Sequence, residues 1–264
     1  MSAGGPAGDR IADLARRLYE AARERRVIEP PSADGIDLAI DEAYAVQAAL
    51  LDLHLADGAR LVGPKLGLTS RAKQVEMNVH EPIVGWLTDR MVLEPGEALA
   101  VASLAQPRAE PEIAFLLGRD LAGPGVTAVH VLAATEVVFG AIEILDSRYR
   151  DYRFTLPDVV ADNASGGRFL LGGAIAPATL DLAEIGCVFE CNGRLVATAA
   201  GAAVMGHPAR AVAWLVRRLA AEGRGLRAGQ IVLSGGLSGA IPIAAGDVVT
   251  ATFGRLGTVT LACR

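Results

Sequence analysis

From about residue 60 to its C-terminus the chain is a succession of short apolar runs, each cut by Gly or Pro. "RLVGPKLGLT", "EIAFLLG", "VVFGAIEIL", "RFLLGG", "CVFECNG", "GQIVLSGG", "DVVTATFG" and "GTVTLAC" all have the length and β-branched content of strands. Two helical stretches interrupt them, at 127–135 and 208–222, with Pro208 suited to a first helical turn. Strands with irregular helix insertions do not make a βαβ rhythm. The expected class is therefore α+β, with a mixed or antiparallel β-roll at its centre.

The first quarter differs. Residues 9–26 place Ile11, Leu14, Leu18 and Ala22 at helical spacing, and a second helix is expected from an N-cap at Asp41 to about Leu55, with Val46, Leu50 and Leu53 on one face. The simplest division is a helical N-terminal segment, 1–59, and a β-rich catalytic domain, 60–264, forming one structural unit. A hydrophobic fraction of 52% against 21% charged residues gives such a unit ample core. The net charge of −5 argues against a nucleic-acid partner, although local cations or a metal could still draw in an anionic substrate. "MSAGGPAGDR" has no apolar leader run and no stretch reaches the length of a membrane span, so a cytoplasmic protein is expected. Cys187, Cys191 and Cys263 are then space-filling thiols.

One strand is anomalous. "PRAEPEIAFLLG" sets Glu110 and Glu112 two positions apart at the head of an apolar run, so their side chains share a face. Buried like charges repel unless something positive lies between them. Alone, the pair could line a solvated edge beside Arg108 or Arg119, and Pro111, which cannot donate to a ladder, would suit an edge or bulge. "GAIEILDSR" tips the balance: Glu143 is a third acid inside an apolar strand. Three carboxylates without His or Cys form a hard oxygen pocket for Mg²⁺ or Mn²⁺ rather than zinc.

"GPKLGLTSRAK", "PRAEPEIAFLLG", "GAIEILDSRY" and "LPDVVADNASGGRFLLGG" together resemble the hydratase/decarboxylase branch of the fumarylacetoacetate hydrolase-like superfamily, over roughly Asp9 to the C-terminus. The resemblance implies the superfamily's β-roll fold, a divalent metal on Glu110, Glu112 and Glu143, and Lys65 and Ser165 facing a small anionic 2-oxo acid. Hydrolases of the superfamily usually have a His before the E-x-E and an Asp as third ligand, which "QPRAEPE" and Glu143 do not match. Within the branch the resemblance implies two main activities, decarboxylation of 2-oxohex-3-enedioate in meta-cleavage breakdown of aromatics and hydration of the 2-hydroxypenta-2,4-dienoate so formed; a non-catalytic family member that binds the dienoate or supports a partner is the further alternative. "SRYRDYRFTLPDVVADNAS" is closer to the decarboxylases, since hydratases tend to carry Trp-Lys where Tyr152 and Arg153 stand. The resemblance further implies a homo-oligomer and a complex with the hydratase of the next step.

Other residues stay open at this stage. Lys65 either binds the substrate oxyanion and assists proton transfer, or pairs with a glutamate. Ser165 either donates to a substrate carboxylate or belongs to a turn built on Asp162 and Asn163. Arg148 and Arg168 are candidate counterions for a second substrate carboxylate. In "SGGLSG", Gly236 and Ser238 could bring backbone amides near an anion, without the context of a nucleotide loop. His80 stands where the family commonly has an acid, making His80 and Glu81 the acid/base candidates. His54, His130 and His207 read as structural.

Overall fold

A central β-sheet of eight strands determines where everything else sits, in a computed structural model that describes residues 6–76 and 79–264. The strands, in chain order, are β1 (Leu61–Gly67), β2 (Ile83–Thr88), β3 (Val92–Leu93), β4 (Arg108–Leu117), β5 (Leu121–Ala122), β6 (Thr135–Leu145), β7 (Gly166–Leu171), β8 (Gly186–Cys191), β9 (Arg194–Ala200), β10 (Gly225–Leu226), β11 (Ile231–Leu233), β12 (Ile241–Pro242), β13 (Val248–Phe253) and β14 (Gly257–Ala262). The helices are α1 (Pro6–Glu24), α2 (Ile40–Ala56), α3 (Arg71–Glu76), α4 (Ala128–Ala134), α5 (Leu156–Ala161) and α6 (Pro208–Ala221).

The central sheet runs β2-β1-β11-β4-β6-β7-β3, with β12 also on β4. Its β1–β11 and β3–β7 pairs are parallel and the rest antiparallel, so the expected mixed, curled sheet of an α+β protein is present. A second sheet, β14-β13-β8-β9, packs against the outer face of β6 and β7. Ile113, Phe115, Ile142 and Ile144 meet Phe189, Phe253 and α6 there in the main core, which also takes in Cys187 and Cys263. The inner face buries a smaller group, Leu87, Ala114, Ala141, Phe169 and Leu233. At one flank α1, α2 and α5 close over Ile83 and Tyr149.

Both expected N-terminal helices form. The second is capped from Ala39 rather than Asp41: the Glu42 carboxylate accepts from the Ala39 N–H at 3.1 Å, which leaves Asp41 in the first turn, where it favours the helix dipole. Pro208 opens α6 as expected.

Pro111 corrects the edge reading. β4 is an interior strand, flanked by β6 along its whole length and by β11 and β12 on the other side. Between those two short partners the loop 234–240 runs past, and the Pro111 carbonyl accepts from Leu237 N–H at 2.9 Å. In an antiparallel strand the N–H and C=O of a residue point the same way. The missing donor of Pro111 therefore faces the loop, and the β4–β6 ladder loses nothing. Among the described residues no helix is long and apolar enough to cross a membrane. Residues 1–5 of the N-terminal stretch, and Met77 and Asn78 of "MNVHEP", lie outside the described residues.

Candidate metal centre

The β4–β6 register sets Glu110 directly opposite Glu143, and Glu112 opposite Ala141. Residues paired in this way share a face, so all three carboxylates point into the concavity of the curled sheet, above Ala114 and Phe169. Glu110 is 4% exposed and Glu112 and Glu143 are 0% exposed. Each offers an oxygen within 4.8 Å of the others. Burial, then the neighbouring carboxylates, hold Glu112 well above the usual carboxylate range; burial also raises Glu143, against the pull of Lys65.

Two ammonium groups approach this cluster. Lys65, itself only 1% exposed on β1, places Nζ 3.0 Å from Glu143 Oε1 and donates to the Ala164 carbonyl at 2.9 Å. Lys73, from α3, donates to Glu110 Oε2 at 2.8 Å. Neither satisfies the cluster. The Lys65–Glu143 contact is close but not aligned as a hydrogen bond, and among the described residues Glu112 Oε1 and both Glu143 oxygens are buried without a hydrogen-bond partner. Orphaned, acceptor-only oxygens converging on one point, with negative charge in excess, fit a hard divalent cation. Glu110, Glu112 and Glu143 would hold it.

The "SGGLSG" loop braces these carboxylates. Gly235 N–H donates to Glu112 Oε2 at 2.8 Å. Its φ of 107° disfavours any side chain, and a Cβ there would collide with the Thr69 hydroxyl. A Cβ on Gly236 would stand 2.5 Å from Glu110 Oε2. Gly236 thus gives Glu110 room, while Ser238 is half-buried and its hydroxyl bonds Gly239 O, at 3.4 Å.

Lys65 is fixed by an unusual turn. Asn163, Ala164 and Ser165 all take left-handed φ, at 50°, 48° and 56°. The Asn163 side chain ties the turn to β2, accepting from Trp86 N at 2.7 Å and donating to Trp86 O at 2.9 Å. Gly85, opposite Lys65, makes the space: a Cβ there would lie 2.8 Å from Lys65 Cδ and 2.7 Å from Asn163 O. Ser165 Oγ is buried and, among the described residues, has no hydrogen-bond partner.

The remaining sequence candidates fall elsewhere. Arg148 is buried and spent: its guanidinium bonds the Asp162 carboxylate and backbone carbonyl and donates to Gly166 O at 2.9 Å. Arg168 pairs in register with Ile144, hence on the sheet face opposite Glu143, and lines a separate cavity of about 330 Å³ with Tyr19, His54 and Trp86. His80 and Glu81 are exposed, and neither has a hydrogen bond or ion pair among the described residues. Lys73 carries no signal in the sequence, because a six-residue helix is too short to display periodicity.

The fold and this carboxylate cluster define a known class. Residues 59–262 match the fumarylacetoacetate (FAA) hydrolase C-terminal family, and the chain belongs to it. It is 45% identical to 2-hydroxyhexa-2,4-dienoate hydratase of Comamonas testosteroni, over 95% of this chain and 96% of that one. It is 40% identical to 4-oxalocrotonate decarboxylase of Pseudomonas sp. (strain CF600), over 96% of each chain. The structure of 4-oxalocrotonate decarboxylase from Pseudomonas putida G7, complexed with magnesium and adipate, superposes with a TM-score of 0.94 at 36% identity, covering 97% of this chain and 98% of that one. These relatives are all lyases.

Proposed function

We propose that this protein is a metal-dependent carboxy-lyase that converts 2-oxohex-3-enedioate (4-oxalocrotonate) to 2-hydroxypenta-2,4-dienoate and carbon dioxide. The observation that carries the reading is the buried Glu110–Glu112–Glu143 cluster with its orphaned oxygens, flanked by Lys65 and Lys73. Magnesium and the six-carbon dicarboxylate adipate, bound by the decarboxylase neighbour, support it.

A divalent cation on the three glutamates, with Mn²⁺ able to replace Mg²⁺, supplies Lewis acidity toward the C2 carbonyl of a 2-oxo acid. In the reaction the C5–C6 bond breaks and its electron pair forms C4=C5, displacing the C3=C4 pair into C2=C3 and leaving charge on O2. The Lys65 ammonium, held by Ala164 O and Glu143, would stabilise that oxygen and give it a proton. The unpartnered Ser165 hydroxyl donates to a substrate carboxylate, which removes the cost of leaving it buried and unbonded. No Schiff base is needed, because the electron sink is the polarised carbonyl.

A second reading has its own support: the hydratase relatives reach 45% and 46% identity. A dienoate hydratase would use the same glutamates and add water instead. The assay is carbon dioxide release from 2-oxohex-3-enedioate, with Mg²⁺ and with excess EDTA. Release that needs the metal is expected. Folded protein that releases none with Mg²⁺ or Mn²⁺, yet hydrates the dienoate, would overturn the decarboxylase assignment. We place the enzyme in the cytoplasm, in aromatic catabolism, as a homo-oligomer that can pair with the hydratase acting next. Exposed Val188, Leu195, Val196 and Val248 on the second sheet supply apolar surface for such assembly.

A further inference from the structure

We infer that Arg108 is the specificity residue of this site, docking the distal carboxylate of a dianionic 2-oxo acid; the inference rests on the 2-oxo-acid reading above. Arg108 opens β4 two residues before Glu110, on the same face, which puts it about 6.8 Å along the strand from that ligand. Its cross-strand neighbours are Leu145 and Pro242, and Leu145 is only partly buried, so this is the open end of the concavity.

Among the described residues Arg108 is a half-buried cation with no hydrogen bond or ion pair. Lys65 and Lys73 serve the glutamates and Arg148 serves Asp162. Among the described residues no carboxylate or carbonyl pairs with the Arg108 guanidinium, whose Cζ lies 3.9 Å from the centroid of the Tyr152 ring. That ring is itself fixed. Tyr152 has a left-handed φ of 57°, its hydroxyl donates to Gln106 O at 3.2 Å, and it accepts from Ser147 N at 3.3 Å. A guanidinium lying over an aromatic ring without a hydrogen-bond partner keeps its N–H donors free, in the fork geometry that matches a carboxylate.

Charge balance favours the same conclusion. Three glutamates, two lysines and a divalent cation carry one net positive charge, and Arg108 makes it two. A monoanionic substrate leaves one charge uncompensated in a buried site; a dianion cancels both. A six-carbon dioate chelated at its 2-oxo end is about as long as two strand residues, the spacing of Arg108 from Glu110 along β4. Holding both ends also fixes the rotation about the bond to be broken, which must stand out of the conjugated plane for its electrons to enter it. Arg168, across the sheet, and Arg148, already saturated, can do neither.

The test is calorimetric titration of the magnesium-loaded enzyme with 2-oxoadipate and with 2-oxohexanoate, which differ only in the distal carboxylate and lack the double bond needed for turnover. Wild type is expected to prefer 2-oxoadipate by about tenfold or more. Arg108→Met should abolish that preference while leaving magnesium and 2-oxohexanoate affinity within about twofold. Arg108→Lys, the gentler change, keeps the charge but loses the fork and should show a reduced preference. Equal affinities in wild type, or an undiminished preference in either variant, would overturn the inference. If magnesium binds but neither 2-oxo acid does, the reading of the site as a 2-oxo-acid centre falls, and this inference with it.

Discussion

Gly236→Ala adds one methyl group at the most sensitive place in the centre. The new Cβ would stand 2.5 Å from Glu110 Oε2 and 2.6 Å from Glu110 Cδ, and no other residue is among its nearest contacts. Gly236 does not have the positive φ that would make any side chain strained, so the backbone tolerates alanine. All of the strain falls on the Glu110 carboxylate. Ordinary contact begins near 3.4 Å, so Oε2 must retreat by about 0.9 Å, the difference from 2.5 Å. Metal–ligand distances tolerate only about ±0.2 Å, so Glu110 is lost as a well-placed ligand. Loss of a supporting contact around a metal typically costs about 10- to 100-fold in affinity. Magnesium titration by calorimetry should therefore show a drop of that size, with decarboxylation recovered partly at high Mg²⁺. The melting temperature of EDTA-treated protein should be unchanged. Gly239→Ala, whose Cβ meets nothing within 4 Å, is the control and should bind metal normally. Wild-type magnesium affinity in Gly236→Ala would show that Glu110 does not ligate the ion.

Arg148→Met tests the buried pair with Asp162. It strands a buried carboxylate whose pKa burial has already pushed up to about 6, against the pull of Arg148, and should cost about 3–5 kcal/mol by urea denaturation, largely restored by adding Asp162→Asn. Unchanged stability with a raised KM would instead make Arg148 a substrate ligand. His54 gives a pH signature: burial first, then Arg148 and Arg90, lower its pKa from 6.5 to about 4. The folded imidazole stays neutral while the unfolded one protonates below about pH 6.5, so stability falls as pH drops from 6.5 toward 4, by about 3 kcal/mol at most and less after solvent screening. His54→Leu should flatten that part of the stability–pH curve relative to wild type, and an identical slope would refute the assignment.

What the sequence discloses is local anomaly. Glutamates inside apolar strands stand out by composition alone, and Pro208 announces its helix. β2 escapes a reading by pattern: "IVGWLT" is buried along its whole length, so it shows no alternation, and its Gly85 looks like a breaker although it is there to admit Lys65. The partner of Arg148 lies 14 residues away across a turn of left-handed residues that no local pattern announces. Placing Arg168 on the sheet face opposite Glu143 requires the register of β6 against β7, which is a tertiary fact. Arg108 is visible in the sequence only as a neighbour that could neutralise the glutamates, because its idleness depends on where every other cation has gone.

The pairing of Glu110 with Glu143 also bears on how the chain finds its fold. Side chains alternate along a strand, so a slip of β4 by one residue would turn Glu110 and Glu112 into the main core and bring Ile113 and Phe115 into the concavity. Such a misaligned sheet has no three-carboxylate centre at all. Two chemically unrelated constraints, oil on one face and acid on the other, thus demand a single alignment, and a chain that captures a divalent ion at this place has by that act certified its own register.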